Sequence, residues 1–280
     1  MNSKAYVADR DAPPVLRVEN LAKRYAKRRL GGRREELFAL NDVSFSILPG
    51  TTLAVVGESG SGKSTLALCV ACLELPTTGN IWFEGKEIVK LAKRDRREIC
   101  PQIQLIFQDP ANSMNPRWNV LKILIEPFVL QKKLTNHERK DRAFSLLERV
   151  GLSSEIAERL PSELSGGQRQ RLAIARALAL ESRLLVLDEA LSALDCSVQA
   201  QIANLLMDLQ SSLGMTYLFI THDLAMAAHL ADEIAVMSRG RIVELGPVAK
   251  ALRQPQCETT RELLAAVPAL PKETLSESER

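Results

Sequence analysis

The chain has 280 residues, 46% of them hydrophobic and 25% charged, with a net charge of +3. This is an ordinary globular composition for one large or two modest domains, and the charge is too small to argue for nucleic-acid binding. No run of about 18 apolar residues marks a membrane span, no apolar leader segment opens the chain, and five cysteines at scattered spacing suit a reducing compartment.

In chain order, residues 1–14 are polar, end in Pro13-Pro14 and predict a loose tail. Val15 to Leu21 and Val43 to Leu48 predict strands. Between them lie Lys23, Arg24, Lys27, Arg28, Arg29, Arg33 and Arg34, around Gly31-Gly32. Such a block of like charge reads first as a solvated hairpin loop, and second as a contact for lipid headgroups or a triphosphate.

The apolar run Thr52 to Val56 predicts a buried strand, and Thr65 to Leu75, free of Gly and Pro, predicts a helix. Joining them is Gly57-Glu58-Ser59-Gly60-Ser61-Gly62-Lys63-Ser64, which fills every fixed position of the phosphate-binding P-loop. Glycines there let the backbone wrap a polyanion, and the following helix N-terminus adds N–H donors and positive partial charge. The pattern assigns Lys63 to the β- and γ-phosphates and Ser64 to Mg²⁺, with Thr65 next on the same helix. Cys69 and Cys72 form a C-x-x-C, but no second pair lies at zinc spacing. Among Leu66, Leu68, Val70 and Leu73 they read as small core residues.

Ile81 to Phe83 and Ile103 to Phe107 predict short strands. From Trp118 to about Leu180 helical periodicity takes over, predicting a helical insertion in an α/β core, with outer bounds near residues 110 and 182. The core resumes with the all-apolar strand Leu184 to Leu187, helix 195–213, strand Thr216 to Ile220, helix 223–231, strand Glu233 to Met237 and a last strand near Arg241 to Leu245. Ser238-Arg239-Gly240 makes the final hairpin turn. Alternating strands and helices predict a mainly parallel sheet, and residues 251–280 read as a peripheral tail.

Four polar residues fall at the carboxyl ends of predicted core strands, the edge where open α/β sheets bind ligands. Asp188 is placed to hold Mg²⁺ and Glu189 to polarise an attacking water. Gln108 can orient water and touch Mg²⁺, and His222 can bond a γ-phosphate. A second anion loop is Leu164-Ser165-Gly166-Gly167-Gln168, where Ser165 can cap the helix that follows. Two phosphate loops about a hundred residues apart suggest a head-to-tail dimer in which each nucleotide lies between the P-loop of one subunit and the Ser-Gly-Gly loop of the other.

These elements, in this order over roughly residues 15–250, resemble an ATP-binding cassette (ABC) ATPase: a P-loop NTPase with a parallel core, an antiparallel β part and a helical insertion. The resemblance implies a P-loop at 57–64, a glutamine loop at Gln108, a signature at Leu164 to Gln168, a Walker B strand ending in Asp188 and Glu189, a switch at His222, and Asp195 joining the halves. It implies ATP as the nucleotide and Tyr25 as the aromatic on adenine. The stretch Phe107-Gln108-Asp109-Pro110, continuing to Asn115-Pro116-Arg117, together with Ser197 to Ile202 and Arg261 to Pro268, resembles the oligopeptide, dipeptide and nickel importers. Their pattern implies a second, different ATPase subunit (a homodimer being the alternative), two membrane subunits and an extracytoplasmic binding protein, with this chain on the cytoplasmic face of the inner membrane. The competing readings are a soluble ABC ATPase acting on nucleic acid or ribosomes, and a regulator that binds ATP without hydrolysing it. No second cassette or long coiled coil supports the first, and intact Glu189 and His222 argue against the other.

Overall fold

A computed structural model describes residues 12–28, 34–131 and 134–266. Ten strands and nine α-helices are seen among them. An antiparallel sheet contains β1 (Leu16–Arg28), β2 (Arg34–Ile47), β4 (Thr78–Phe83) and β5 (Lys86–Glu87), in the order β2-β1-β4-β5. A second sheet contains β3 (Thr52–Val56), β6 (Ile103–Ile106), β7 (Leu184–Asp188), β8 (Thr216–Ile220), β9 (Glu233–Ser238) and β10 (Arg241–Pro247), in the order β10-β9-β3-β8-β7-β6. Its pairings are parallel except for the terminal β9–β10 hairpin.

The helices are α1 (Lys63–Val70), α2 (Lys93–Ile99), α3 (Val120–Gln131), α4 (Asn136–Arg149), α5 (Gly166–Leu178), α6 (Cys196–Leu213), α7 (Leu224–Leu230), α8 (Val248–Arg253) and α9 (Glu258–Ala266). The parallel strands are continuous apolar runs because both faces are covered. Leu53 and Val55 of β3, with Leu184 and Val186 of β7, pack toward α1 and the antiparallel sheet. Ala54, Val56, Leu185 and Leu187 pack on the other face, in the core that includes α3 to α6. That alternation is the two-residue period of a strand read on two cores at once.

Four expectations change. The helix after the P-loop ends at Val70 rather than near Leu75. Cys72 takes a left-handed backbone, φ 60°, and the Leu73 and Glu74 amides turn back onto the Leu68 carbonyl, closing the helix. Cys69 is buried as expected, but Cys72 lies past the helix and is half-buried. The basic stretch is also more regular than a loop. β1 runs to Arg28 and β2 starts at Arg34, paired in one ribbon. Opposite charge and aromatic contact steady it: Lys23 bonds Glu74 at 2.9 Å, and Arg24 bonds Glu36 at 3.3 Å while stacking 4.5 Å from the Phe38 ring centre. Arg29, Gly31, Gly32 and Arg33 lie outside the described residues, as do most of the predicted N-terminal tail and everything after 266. Residues 251–266, read as tail, complete α8 and form α9. Glu244 of β10 holds the start of α9, accepting the amides of Gln256 and Cys257 at 3.0 and 3.2 Å and the Thr260 hydroxyl at 2.5 Å.

Candidate nucleotide site

Parallel pairing fixes which residues share the carboxyl edge of the sheet. Val55 of β3 lies opposite Ile220 of β8, Asp188 of β7 lies opposite the same Ile220, and Leu187 lies opposite Ile106 of β6. The chain leaving each strand therefore brings the P-loop, His222, Asp188-Glu189 and Gln108 to one edge. Two cross-strand bonds finish it: the Thr221 amide donates to the Val55 carbonyl at 3.1 Å and the Glu189 amide to the Ile220 carbonyl at 2.9 Å.

The P-loop is shaped by its neighbours as much as by itself. A Cβ on Gly57 would sit 2.2 Å from the Met237 carbonyl oxygen, and one on Gly62 would sit 2.2 Å from that of Ala39. Both glycines also have positive φ, 154° and 107°. Steric approach and backbone conformation thus demand glycine independently. The turn after β9 braces the loop: the Gly240 amide donates to the Ser61 carbonyl at 2.9 Å, and the Asn41 amide to the Gly240 carbonyl at 2.8 Å. Sequence reasoning gave that turn only a hairpin role. Its bracing contacts span well over a hundred residues, which no local pattern reveals. Glu58, Ser59 and Gly60 form the exposed crest of the loop, and Ser61 is buried beneath it.

Lys63 is only 5% exposed, and its Nζ donates to the carbonyls of Gly57 and Glu58, both at 2.7 Å. Burial pushes its pKa below the ordinary value, while the carboxylates of Glu189, Asp188 and Glu58 pull it back up. The Ser64 hydroxyl donates to Asp188 Oδ1 at 3.2 Å, so two of the three expected metal ligands already touch. Burial raises the Asp188 carboxyl above its usual range and nearby Glu189 adds to this, against the Ser64 hydroxyl and the Lys63 charge. An acidic pair beside a buried cation at a strand edge makes a strongly polarised site.

Glu189 has a left-handed backbone, φ 49°, and its Oε2 lies 3.6 Å from His222 Nδ1. The residue expected to polarise water and the residue expected to bond the γ-phosphate are thus neighbours. Gln108 is exposed, two residues past the end of β6. Tyr25 lies on the basic ribbon, its hydroxyl donating to Glu74 at 2.6 Å and the Lys23 Nζ lying 5.1 Å from its ring centre. Partial burial and then Glu74 raise its pKa, while the hydroxyl of Thr65 on α1 opposes them, so the ring stands beside the P-loop helix.

The signature residues form a self-contained turn. The Ser165 hydroxyl accepts the Gln168 amide at 3.2 Å, and the Gln168 side chain accepts the Ser165 amide at 2.9 Å, a reciprocal cap at the start of α5. Gly166 and Gly167 pack against the segment carrying Asp195: added Cβ atoms would meet Leu194 at 3.1 Å and Val198 at 2.7 Å. Among the described residues, none of the signature's hydrogen bonds reaches the P-loop. Ser165 and Asp195 are both exposed, and Asp195 makes no side-chain cap to α6.

The ABC transporter family model matches residues 40–192. The chain is 44% identical over 258 residues to the dipeptide transport ATP-binding protein DppF of Haemophilus influenzae, spanning 92% of this chain and 79% of that one. It is 47% identical over 260 residues to the glutathione import ATP-binding protein GsiA of Escherichia coli O157:H7, covering 92% of this chain but 42% of that longer protein. An ATP-binding cassette solved as a dimer after hydrolysis, with ADP and Pi bound, superposes with a TM-score of 0.75 at 29% identity over 83% of this chain and 98% of that one. With the P-loop, strand-edge carboxylates and capped signature turn all present, this chain belongs to the ATP-binding proteins of ABC transporters.

Proposed function

We propose that this chain is the ATP-hydrolysing subunit of an importer for peptide-like solutes, working as half of a two-ATPase assembly. One observation carries the reading: the P-loop edge is built with Glu189 and His222 side by side, while the signature turn on the same chain finds no partner there. A complete site then needs the signature turn of a second subunit. The similarity to DppF and GsiA supports a peptide-like solute, and the nickel importers remain the second choice.

In this reading Tyr25 stacks on adenine, residues 57–65 wrap the phosphates, and Lys63 places its charge on the β- and γ-oxygens. Ser64 and Asp188, with Gln108 reaching in, are the oxygen donors suited to Mg²⁺, which supplies charge neutralisation on the phosphates when bound. Glu189 accepts a proton from the attacking water, and His222 bonds the γ-phosphate from beside it. Ser165, Gly166, Gly167 and Gln168 of the second subunit close over the same phosphate, and Asp195 joins the two halves. The ATPase companion is a different chain, given the importer pattern in the sequence, with a second copy as the alternative. Beside β6, exposed Leu73, Phe107 and Leu130 line a groove with Leu180 and Arg183. We assign that groove to a short helix of a membrane subunit, which would hold the chain on the inner face of the membrane.

The test is ATP-driven uptake by the transporter reconstituted with its membrane partners. Glu189→Gln should bind ATP yet hydrolyse it about a hundred-fold more slowly, as expected for losing a positioned base. Normal turnover by that variant, or hydrolysis stimulated by RNA rather than by a loaded solute receptor, would reject the reading.

A further inference from the structure

Helix α5 carries the signature turn at its first residues and an arginine in its last turn. That arginine, Arg176, is forked between two other elements. One guanidinium nitrogen donates to the Ser113 carbonyl at 2.7 Å. The other bonds Glu126 Oε2 on α3 at 2.8 Å, with both side chains about one-third exposed. Ser113 closes the short 3₁₀ turn Pro110–Ser113, which follows directly on Gln108 and Asp109.

That turn is a stiff unit. Asp109 caps it by accepting the Ala111 amide at 3.1 Å, the Ser113 hydroxyl donates to the Pro110 carbonyl at 2.8 Å, and Pro110 is buried. Gln108 thus hangs between a core strand on one side and a rigid turn on the other, and the far end of the turn is held from α5. The helix is rigid over its length: ten residues separate Gly166 from Arg176, about 15 Å at the α-helical rise.

We infer that Arg176 is a positioning residue that ties the Gln108 loop, which serves the nucleotide of its own subunit, to the signature turn, which serves the nucleotide of the other. This inference rests on the composite-site function proposed above. A displacement of the Gln108 loop pulls the Ser113 carbonyl and, through the guanidinium, the end of α5. Arginine suits the task because its planar fork fixes two acceptors at a set angle, where a lysine offers one movable charge.

The test uses the transporter assembled with its membrane partners. Arg176→Lys and Arg176→Gln should lower kcat for ATP about ten- to a hundred-fold, the scale on which slight misplacement from a distant group acts. ATP affinity of the full chain should stay unchanged. A charge-swapped pair, Arg176→Glu with Glu126→Arg, separates coupling from simple bracing. It restores the α3–α5 ion pair but not the bond to the Ser113 carbonyl, because a carboxylate cannot donate to it. Recovery of Tm without recovery of kcat supports the inference; recovery of both, or wild-type kcat in Arg176→Lys and Arg176→Gln, overturns it. Glu189→Gln in the same preparation tells the two readings apart. If it slows hydrolysis about a hundred-fold, as expected for losing the base, a silent Arg176 condemns the coupling alone. If it does not, the hydrolytic site itself is misassigned, and the coupling falls with it.

Discussion

The P-loop and the signature turn of this chain are built on opposite principles. The P-loop is completed from within: backbone carbonyls of Ala39 and Met237 press on Gly62 and Gly57, and Gly240 donates to Ser61. Among the described residues, the signature turn is held by its own reciprocal cap, by Arg169 donating to the Leu164 carbonyl at 2.6 Å and by packing on Leu194 and Val198. One turn is finished by folding, and in the proposed assembly the other is finished by association. A mutation in the first should therefore change ATP binding by the lone chain, and one in the second should change only turnover by the assembly.

The sharpest way to break that contrast is Gly62→Ala. A methyl group there meets a backbone oxygen that cannot step aside, at a φ that alanine resists. We expect a loss of about 3 kcal/mol in stability, in the range for strain at a left-handed position, together with loss of ATP binding by the lone chain. Chemical denaturation and calorimetry measure the two effects. A variant that folds and binds as wild type would show that the loop is not fixed from outside.

Next in size is Ser165→Ala. Removing the cap should cost about 1 kcal/mol. ATP affinity of the isolated chain should not move, while turnover in the assembly falls about a hundred-fold if the hydroxyl is one of the donors on the transferred phosphate. Weaker ATP binding by the isolated chain would place this turn in the cis site and erase the contrast.

The smallest expected effect concerns the C-terminal side. Partial burial raises the Glu244 pKa, but bonds from the Thr260 hydroxyl and the Gln256 and Cys257 amides outweigh it and hold the carboxyl below its ordinary value of 4.5. A depressed carboxyl stabilises the fold above its unfolded pKa, and that contribution fades as pH falls through the lower folded value. Thermal melts of wild type and Glu244→Gln should therefore differ modestly at neutral pH and converge in acid below 4.5. Curves that stay parallel into acid would remove the carboxylate as the anchor of α9.

How much of this was legible in the sequence follows from the range of the contacts involved. The P-loop is a local pattern between a strand and a helix, so its eight residues could be read directly. Asp188, Glu189, Gln108 and His222 could be read because the end of an apolar run marks the edge of a parallel sheet. The length of the β1–β2 ribbon could not, since Lys23 and Arg24 are paired with Glu74 across the fold and Glu36 across the hairpin. Nor could the brace at Gly240 or the fork at Arg176, whose partners Ser113 and Glu126 lie 63 and 50 residues away. An arginine in a helix's last turn looks the same in sequence whether it faces water or spans three elements.

The Lys63 ammonium already grips two carbonyls of its own loop. In the function proposed above, a triphosphate that takes this cation competes with those two carbonyls for it. In that reading the loop itself is a built-in competitor, and it weakens the hold on any nucleotide by the strength of the two bonds that must be given up.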